Sequence, residues 1–165
     1  MSRDQPKLTK AELAEAIGEQ FRINQNRSDV FDEVAEELLG INHTDQRCLD
    51  IISRIGRVTA GELAREAGLT TGGVTAVVDR LERDGWARRV RDTDDRRRVL
   101  IEAAPEAMEK TWEIWGPLKA AWDAEARGYT RAQLEFLLRF LERGNEIAAA
   151  HIDRIRAMRD RTGDL

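Results

Sequence analysis

Six arginines crowd into residues 88–98: Arg88, Arg89, Arg91, Arg96, Arg97 and Arg98, around a knot of Asp92, Asp94 and Asp95. Guanidinium groups at this density suit one chemistry above others, paired charge-assisted hydrogen bonding to phosphate. The chain as a whole is acidic, with 27 Lys/Arg against 31 Asp/Glu and a pI near 5.4, which argues against coating nucleic acid by bulk charge. Between Arg54 and Arg98, however, 11 Arg face 8 Asp/Glu, and the remainder carries 16 basic and 23 acidic residues. The middle third is therefore where a polyanionic partner would sit.

Catalytic constellations are not evident. The two histidines, His43 and His151, lie far apart in sequence, no glycine-rich phosphate loop follows a strand, and no metal-ligand spacing occurs. These features predict a protein that is not an enzyme and holds neither a metal nor a cofactor. Cys48 neighbours Leu49 and Ile52 on an apolar stripe, where it reads as a small buried thiol or, alternatively, a redox sensor. A lone cysteine forms no intramolecular disulfide and fits a reducing, cytoplasmic compartment. No signal-peptide run opens the chain, and no stretch approaches the roughly 18 apolar residues of a membrane helix, so no membrane association is expected.

Periodicity places the elements that would position these groups. Leu13, Ile17 and Phe21 share a helical face, and a second apolar run brings Val30, Val34, Leu38 and Leu39 together before Gly40. Thr44 is the expected cap of a helix through Leu49, Ile52 and Ile55, closing at Gly56. Leu63, Ala64 and Ala67 face inward in the next short helix, which Gly68 breaks. Thr70 then caps a helix with Val74, Val77, Val78 and Leu81 inward, ending at Gly85. Two β-prone runs, WARRV and RRRVLIE, flank the acidic turn RDTDD and predict a hairpin. Helix, tight turn, helix, hairpin is the plan of a winged helix-turn-helix.

On that plan, Gly72, Ala76, Asp79 and Arg83 point outward from the second helix, flanked by Thr71, Gly73, Thr75 and Arg80. Small, hydroxylic residues let a helix lie close to a major groove. Free amides over Thr70–Gly73 would seat a phosphate, and Thr75 and Ala76 are small enough to meet base edges. A long turn with a later helix start is the other reading of Gly72-Gly73. In the hairpin, Asp95 is placed to brace the Arg97 guanidinium; Arg96 and Arg97 are the probes of a narrow minor groove, Arg88, Arg89 and Arg91 lie nearer the phosphates, and Arg98 belongs to the same DNA-binding wing.

Residues 104–126 return to helix, with Met108, Trp112, Trp115 and Trp122 on a recurring face and a kink or break expected at Gly116-Pro117. Thr130 caps a last helix whose Leu134, Leu138, Leu141, Asn145, Ala148, Ile152 and Ile155 step in heptads. That seam predicts a homodimer, with Asn145 setting register; packing on the amino-terminal helices of the same chain is the alternative.

The segment GELAREAGLTTGGVTAVVDRLERDGWARRVRDTDDRRRVLIEAAPEA resembles the DNA-binding core of MarR-family transcriptional regulators over about 45 residues. Its most specific parts are VVDRLERDGW and the wing pattern Asp92, Asp95, Arg96, Arg97. The resemblance implies a mainly α fold with a small β-hairpin wing, the winged helix-turn-helix being flanked by amino- and carboxy-terminal dimerisation helices. It implies double-stranded DNA as partner, contacts from Thr70 through Arg80, and minor-groove insertion by Arg97. The small residues at Gly72, Gly73 and Ala76 depart from many relatives and shift recognition toward shape and backbone contacts. The resemblance also implies a small aromatic or phenolic effector, for which His43, Ile52, Arg54, Trp112, Trp115 and Trp122 are candidates; a tryptophan stripe as plain core or interface is the other reading. The domains then read as an arm over 1–8, dimerisation helices over 9–42, the DNA-binding domain over 43–103 and dimerisation helices over 104–165. The expected function is a homodimeric repressor on a pseudo-palindromic operator, and the alternative is a winged-helix adaptor that binds protein instead of DNA.

Overall fold

The computed structural model describes residues 8–95 and 97–162, and the side chains of residues 160 and 162 are not described. Its elements run α1 (Lys10–Leu39), α2 (His43–Ile55), β1 (Arg57–Val58), α3 (Ala60–Ala67), α4 (Thr71–Arg83), β2 (Ala87–Arg91), β3 (Val99–Ala103), α5 (Pro105–Ala126) and α6 (Arg131–Thr162). The strands form one antiparallel sheet in the order β1-β3-β2. The chain divides into two compact units, Met1–Ile114 and Trp115–Leu165, with the boundary inside α5.

In the first unit, the two apolar runs expected before Gly40 belong to one 30-residue helix, α1. A capping box between Thr9 and Glu12 starts it, and Gly40 at φ +65° stops it with its N–H returned to Glu36. The polar stretch between the runs offers no Pro or paired Gly to interrupt it, so the helix continues. Ala35 is its one buried residue among those described, and Leu13, Ile17, Phe21, Val30, Val34 and Leu38 stay exposed.

The cap of α2 is Asn42, two residues before the expected Thr44; its side chain accepts from the Asp45 N–H at 3.0 Å. Gly56 leaves the helix at φ +94°, a conformation that L side chains rarely adopt, and turns the chain into β1. This two-residue strand was not anticipated: it is too short to carry an alternating pattern. Thr59 and Glu62 form a second capping box on α3. Thr70 caps α4 through a 3.1 Å bond from the Gly73 N–H, which places Gly72 and Gly73 within the first turn of the helix rather than in a long preceding loop.

The core is built by the stripes read from periodicity. Cys48, Leu49 and Ile52 of α2, Leu63 and Ala67 of α3, and Val74, Val77, Val78 and Leu81 of α4 are buried together with Val58, Trp86 and Ile101. Ile55 is the exception on its stripe, at the exposed end of α2. The sheet closes this core because Val58 pairs with Ile101 across β1 and β3, so one face of the strand pair is apolar.

Helix α5 begins with Pro105 in its first turn, where a missing N–H costs nothing. It continues through Gly116-Pro117, contrary to the expected break; a proline removes one hydrogen bond, and the turns on either side remain helical. In the second unit, Thr130 caps α6 as expected, its N–H donating to Gln133 Oε1 at 2.8 Å and its Oγ1 accepting from the Gln133 N–H at 3.4 Å. Leu134, Leu138, Leu141, Ile152 and Ile155 of the heptad row are exposed, as are Asn145 and Ala148.

Leu63 is fully buried at the centre of the helix-turn-helix, so Leu63→Ala should cost about 2–5 kcal/mol in a urea denaturation series. A loss below about 1 kcal/mol would contradict that core assignment.

Candidate nucleic-acid interface

The outward surface of α4 is set by what holds its inward one. Its four apolar residues fill the core, leaving Thr71, Gly72, Thr75, Ala76 and Asp79 exposed along the opposite side. A Cβ on Gly72 would meet open space, so nothing in the chain crowds that position. The phosphate seat is narrower than expected, because the Gly73 N–H is already taken by Thr70. The Thr75 hydroxyl donates to the Thr71 carbonyl at 3.0 Å, so its proton is already committed within the helix.

Arg80 has a structural partner. Its Nε donates to Asp45 Oδ2 at 2.8 Å, a second guanidinium nitrogen reaches Oδ1, and the Asn42 amide donates to Oδ2 at 2.8 Å. Asp45 is only 4% exposed, and three donors replace the water its carboxylate loses. The bond to Asp45 foremost holds Arg80 above the usual guanidinium range. Arg47 adds a 2.6 Å bond to the Ala67 carbonyl at the end of α3. Asp45 was overlooked in the sequence because an acid in a first helical turn already has a local explanation in the helix dipole.

The wing arginines divide into tied and untied groups. Arg88 on β2 and Arg57 on β1 lie opposite Glu102 on β3, with Nε donating to its two oxygens at 2.7 and 2.6 Å. Arg89 is bound to Asp79 and Glu82 of α4. Arg98 pairs loosely with Asp92 at 3.7 Å. Arg91 and Arg97 are exposed and form no ion pair among the described residues. Arg96 lies outside the described residues.

The aspartates brace the turn through its backbone. Asp95 Oδ1 accepts from the Arg97 backbone N–H at 3.0 Å, not from the guanidinium as expected, and the Asp95 carbonyl accepts from the Arg98 N–H at 2.9 Å. A carboxylate two residues before its partner is within reach of the amide first, which is the usual Asx turn. Asp92 accepts from the Asp94 N–H at 2.9 Å, and that bond chiefly holds its carboxyl below the ordinary range. Glu102 and Arg57 were missed in the sequence; counting the hairpin register back from the turn would have set Arg88 opposite Glu102.

The effector candidates on α2 do not share one exposed surface. Ile52 is fully buried in the core, so it lines no open cleft. His43 opens α2 and bonds Glu36 at 2.8 Å, whereas Arg54 lies eleven residues on, roughly 16 Å along the axis, and pairs with Glu66. Trp112 and Trp122 are largely exposed, and Trp115 is half-buried. Cys48 is fully buried, and burial chiefly, with the nearby Asp45 charge, pushes its thiol up and keeps it protonated, which favours the packing role.

A helix-turn-helix of α3 and α4, followed by the β2–β3 hairpin whose sheet β1 completes, is the winged helix-turn-helix architecture. Residues 41–99 match the model of the MarR family. Over 148 residues the chain is 34% identical to an uncharacterised HTH-type transcriptional regulator, YcgE, of Bacillus subtilis (strain 168), covering 90% of this chain and 96% of the relative. The fold resembles that of Streptococcus pneumoniae FabT, solved in complex with DNA (TM-score 0.54, 23% identity, 79% of this chain and 97% of that one). It also resembles NadR, solved with 4-hydroxyphenylacetate (TM-score 0.53, 20% identity, 83% and 93%). The chain belongs to the MarR family: it is a DNA-binding transcriptional regulator and not an enzyme, which displaces the adaptor alternative. No helix among the described residues is long and apolar enough to cross a membrane.

Glu102 yields a pH prediction. Arg88 first, then Arg57, hold its carboxyl below the ordinary range, so its stabilising contribution is complete above about pH 5 and is lost as pH falls through the lowered folded value. The stability gap between wild type and Glu102→Gln should therefore stay constant from about pH 5 to 8 and close below about pH 4. A gap that widens on acidification would exclude this assignment.

Proposed function

We propose that the chain is a cytoplasmic, homodimeric repressor that binds a pseudo-palindromic operator and is released by a small aromatic or phenolic effector. The observation that carries the DNA-contact assignment is the pairing of an uncrowded α4 face with a braced wing. Gly72, Thr75 and Ala76 present a low surface for the major groove, while the Thr71 and Gly72 amides in the first turn of α4 would seat a phosphate. Arg97 enters the minor groove from a turn whose backbone Asp92 and Asp95 have already ordered, and Arg91 and Arg96 are further candidate contacts. Arg88 and Arg98 contribute positive field from tied positions. FabT supports the reading as a like-folded protein solved on DNA.

The division into a DNA-binding domain over 43–103 and dimerisation segments over 9–42 and 104–165 is part of this proposal. Its support is the apolar surface that the single chain leaves in water: Leu13, Ile17 and Phe21 on α1, Trp112 and Trp122 on α5, and the α6 heptad row. Rows of this extent are uncommon on a monomer. A two-fold pair would bury them and set two α4 helices about one DNA turn apart. An aromatic effector is supported by NadR, solved with 4-hydroxyphenylacetate, and by the exposed indoles of Trp112 and Trp122.

Two measurements test the proposal. Sedimentation equilibrium at micromolar concentration should return twice the 18.8 kDa chain mass, and a single 18.8 kDa species would sink the dimer. With a selected duplex, Arg97→Ala should weaken binding by about 1–3 kcal/mol, about fivefold to 150-fold, without shifting the thermal midpoint. Wild-type binding should also fall steeply with salt. Unchanged affinity in the variant would remove Arg97 from the interface.

A further inference from the structure

Arg89 links the wing to the recognition helix. From the middle of β2 its backbone N–H donates to Glu82 Oε1 at 2.7 Å, its guanidinium pairs with Glu82 Oε2, and its second nitrogen reaches Asp79 Oδ1 at 2.7 Å. Two carboxylates one helical turn apart on α4 thus hold a single strand residue by main chain and side chain together. Glu82 is the more sheltered of the two, 31% exposed against 59% for Asp79. The bond to Asp79 foremost holds Arg89 above the usual guanidinium range.

For a helix that approaches phosphates this is an adverse use of charge. Asp79 and Glu82 bring two negative charges, and Arg89 cancels one. Geometry supplies a reason to keep them. A seated helix and a seated wing must span a major groove about 12 Å wide and its neighbouring minor groove about 6 Å wide. The wing is a lever on that spacing: its tip lies about five residues beyond Arg89, roughly 16 Å at 3.3 Å per residue, so a rotation of about 10° there carries the tip about 3 Å. Strand β2 is an edge of the sheet, paired only with β3, and its other side meets α4 through Arg89.

We infer that Glu82, aided by Asp79, is a positioning residue for DNA binding, acting through Arg89 to fix the wing at the angle at which Arg97 meets the minor groove. The inference rests on the DNA-contact reading above and adds residues that make no DNA contact themselves. Mere charge repulsion and positioning predict opposite signs: neutralising Glu82 tightens binding in the first case and weakens it in the second.

The test titrates full-length wild type, Glu82→Gln and Asp79→Asn, each with and without Arg97→Ala. The probe is one labelled duplex bearing a site that the wild-type protein selects from a random-sequence pool. Glu82→Gln should weaken binding about fivefold although it removes a repulsive charge, and the loss should vanish when Arg97 is already alanine. Unchanged or tighter binding, or an equal loss in both backgrounds, overturns the inference. Should Glu82→Gln fail to fold by circular dichroism, Asp79→Asn, at an exposed helical position, decides on the same two criteria. A wild-type protein that selects no site overturns the DNA-contact reading itself, and the inference with it.

Discussion

The buried Asp45 carboxylate is the constraint on which the DNA-facing half of this protein depends. Taking a charge out of water is tolerable only when donors replace the solvent, and here Arg80 and Asn42 do so. The consequence is mechanical as well as electrostatic. The first turn of α2 is locked to the last turn of α4, and Arg47 ties the end of α3 to the same helix α2. With Val74, Val77, Val78 and Leu81 packed beneath, α4 can roll in neither direction without stranding a charge or exposing a methyl group. Its outward face is therefore a fixed surface.

The same logic runs through the hairpin, where the abundance of arginine is partly structural. Arg57 and Arg88 neutralise Glu102 across the sheet, and Arg89 is bound to α4. Among the described arginines of the hairpin, Arg91 and Arg97 are left without an ion pair. An acidic chain with a few pre-placed guanidinium groups gains little from non-specific attraction, so its discrimination has to come from fit.

Several features were legible in the sequence for good physical reasons. The inward stripes of α2, α3 and α4 were readable because a buried helical face imposes its period on residue type, and the caps at Thr70 and Thr130 because orphan amides select hydroxyl side chains. Other boundaries were not. Asn42 and Thr44 are both competent caps, and only the position of Asp45 in the core decides between them. The polar middle of α1 looks like a junction locally, yet no residue there forbids helix. Pro117 reads as a stop, but a single lost hydrogen bond does not outweigh the turns around it.

By itself, then, the sequence determined the helix-turn-helix with its core, the hairpin that follows it and the family to which they belong, because these follow from periodicity, turn chemistry and local charge. Tertiary structure decided which charges are free. Whether an arginine faces a phosphate or a carboxylate depends on what lies across the sheet or on the next helix, as Glu102, Asp45 and Glu82 do. Those partners stand 14, 35 and 7 residues away from Arg88, Arg80 and Arg89. Hairpin register alone would give the first of these; no pattern along the chain encodes the other two, which arise only when packing brings the partners within a hydrogen bond.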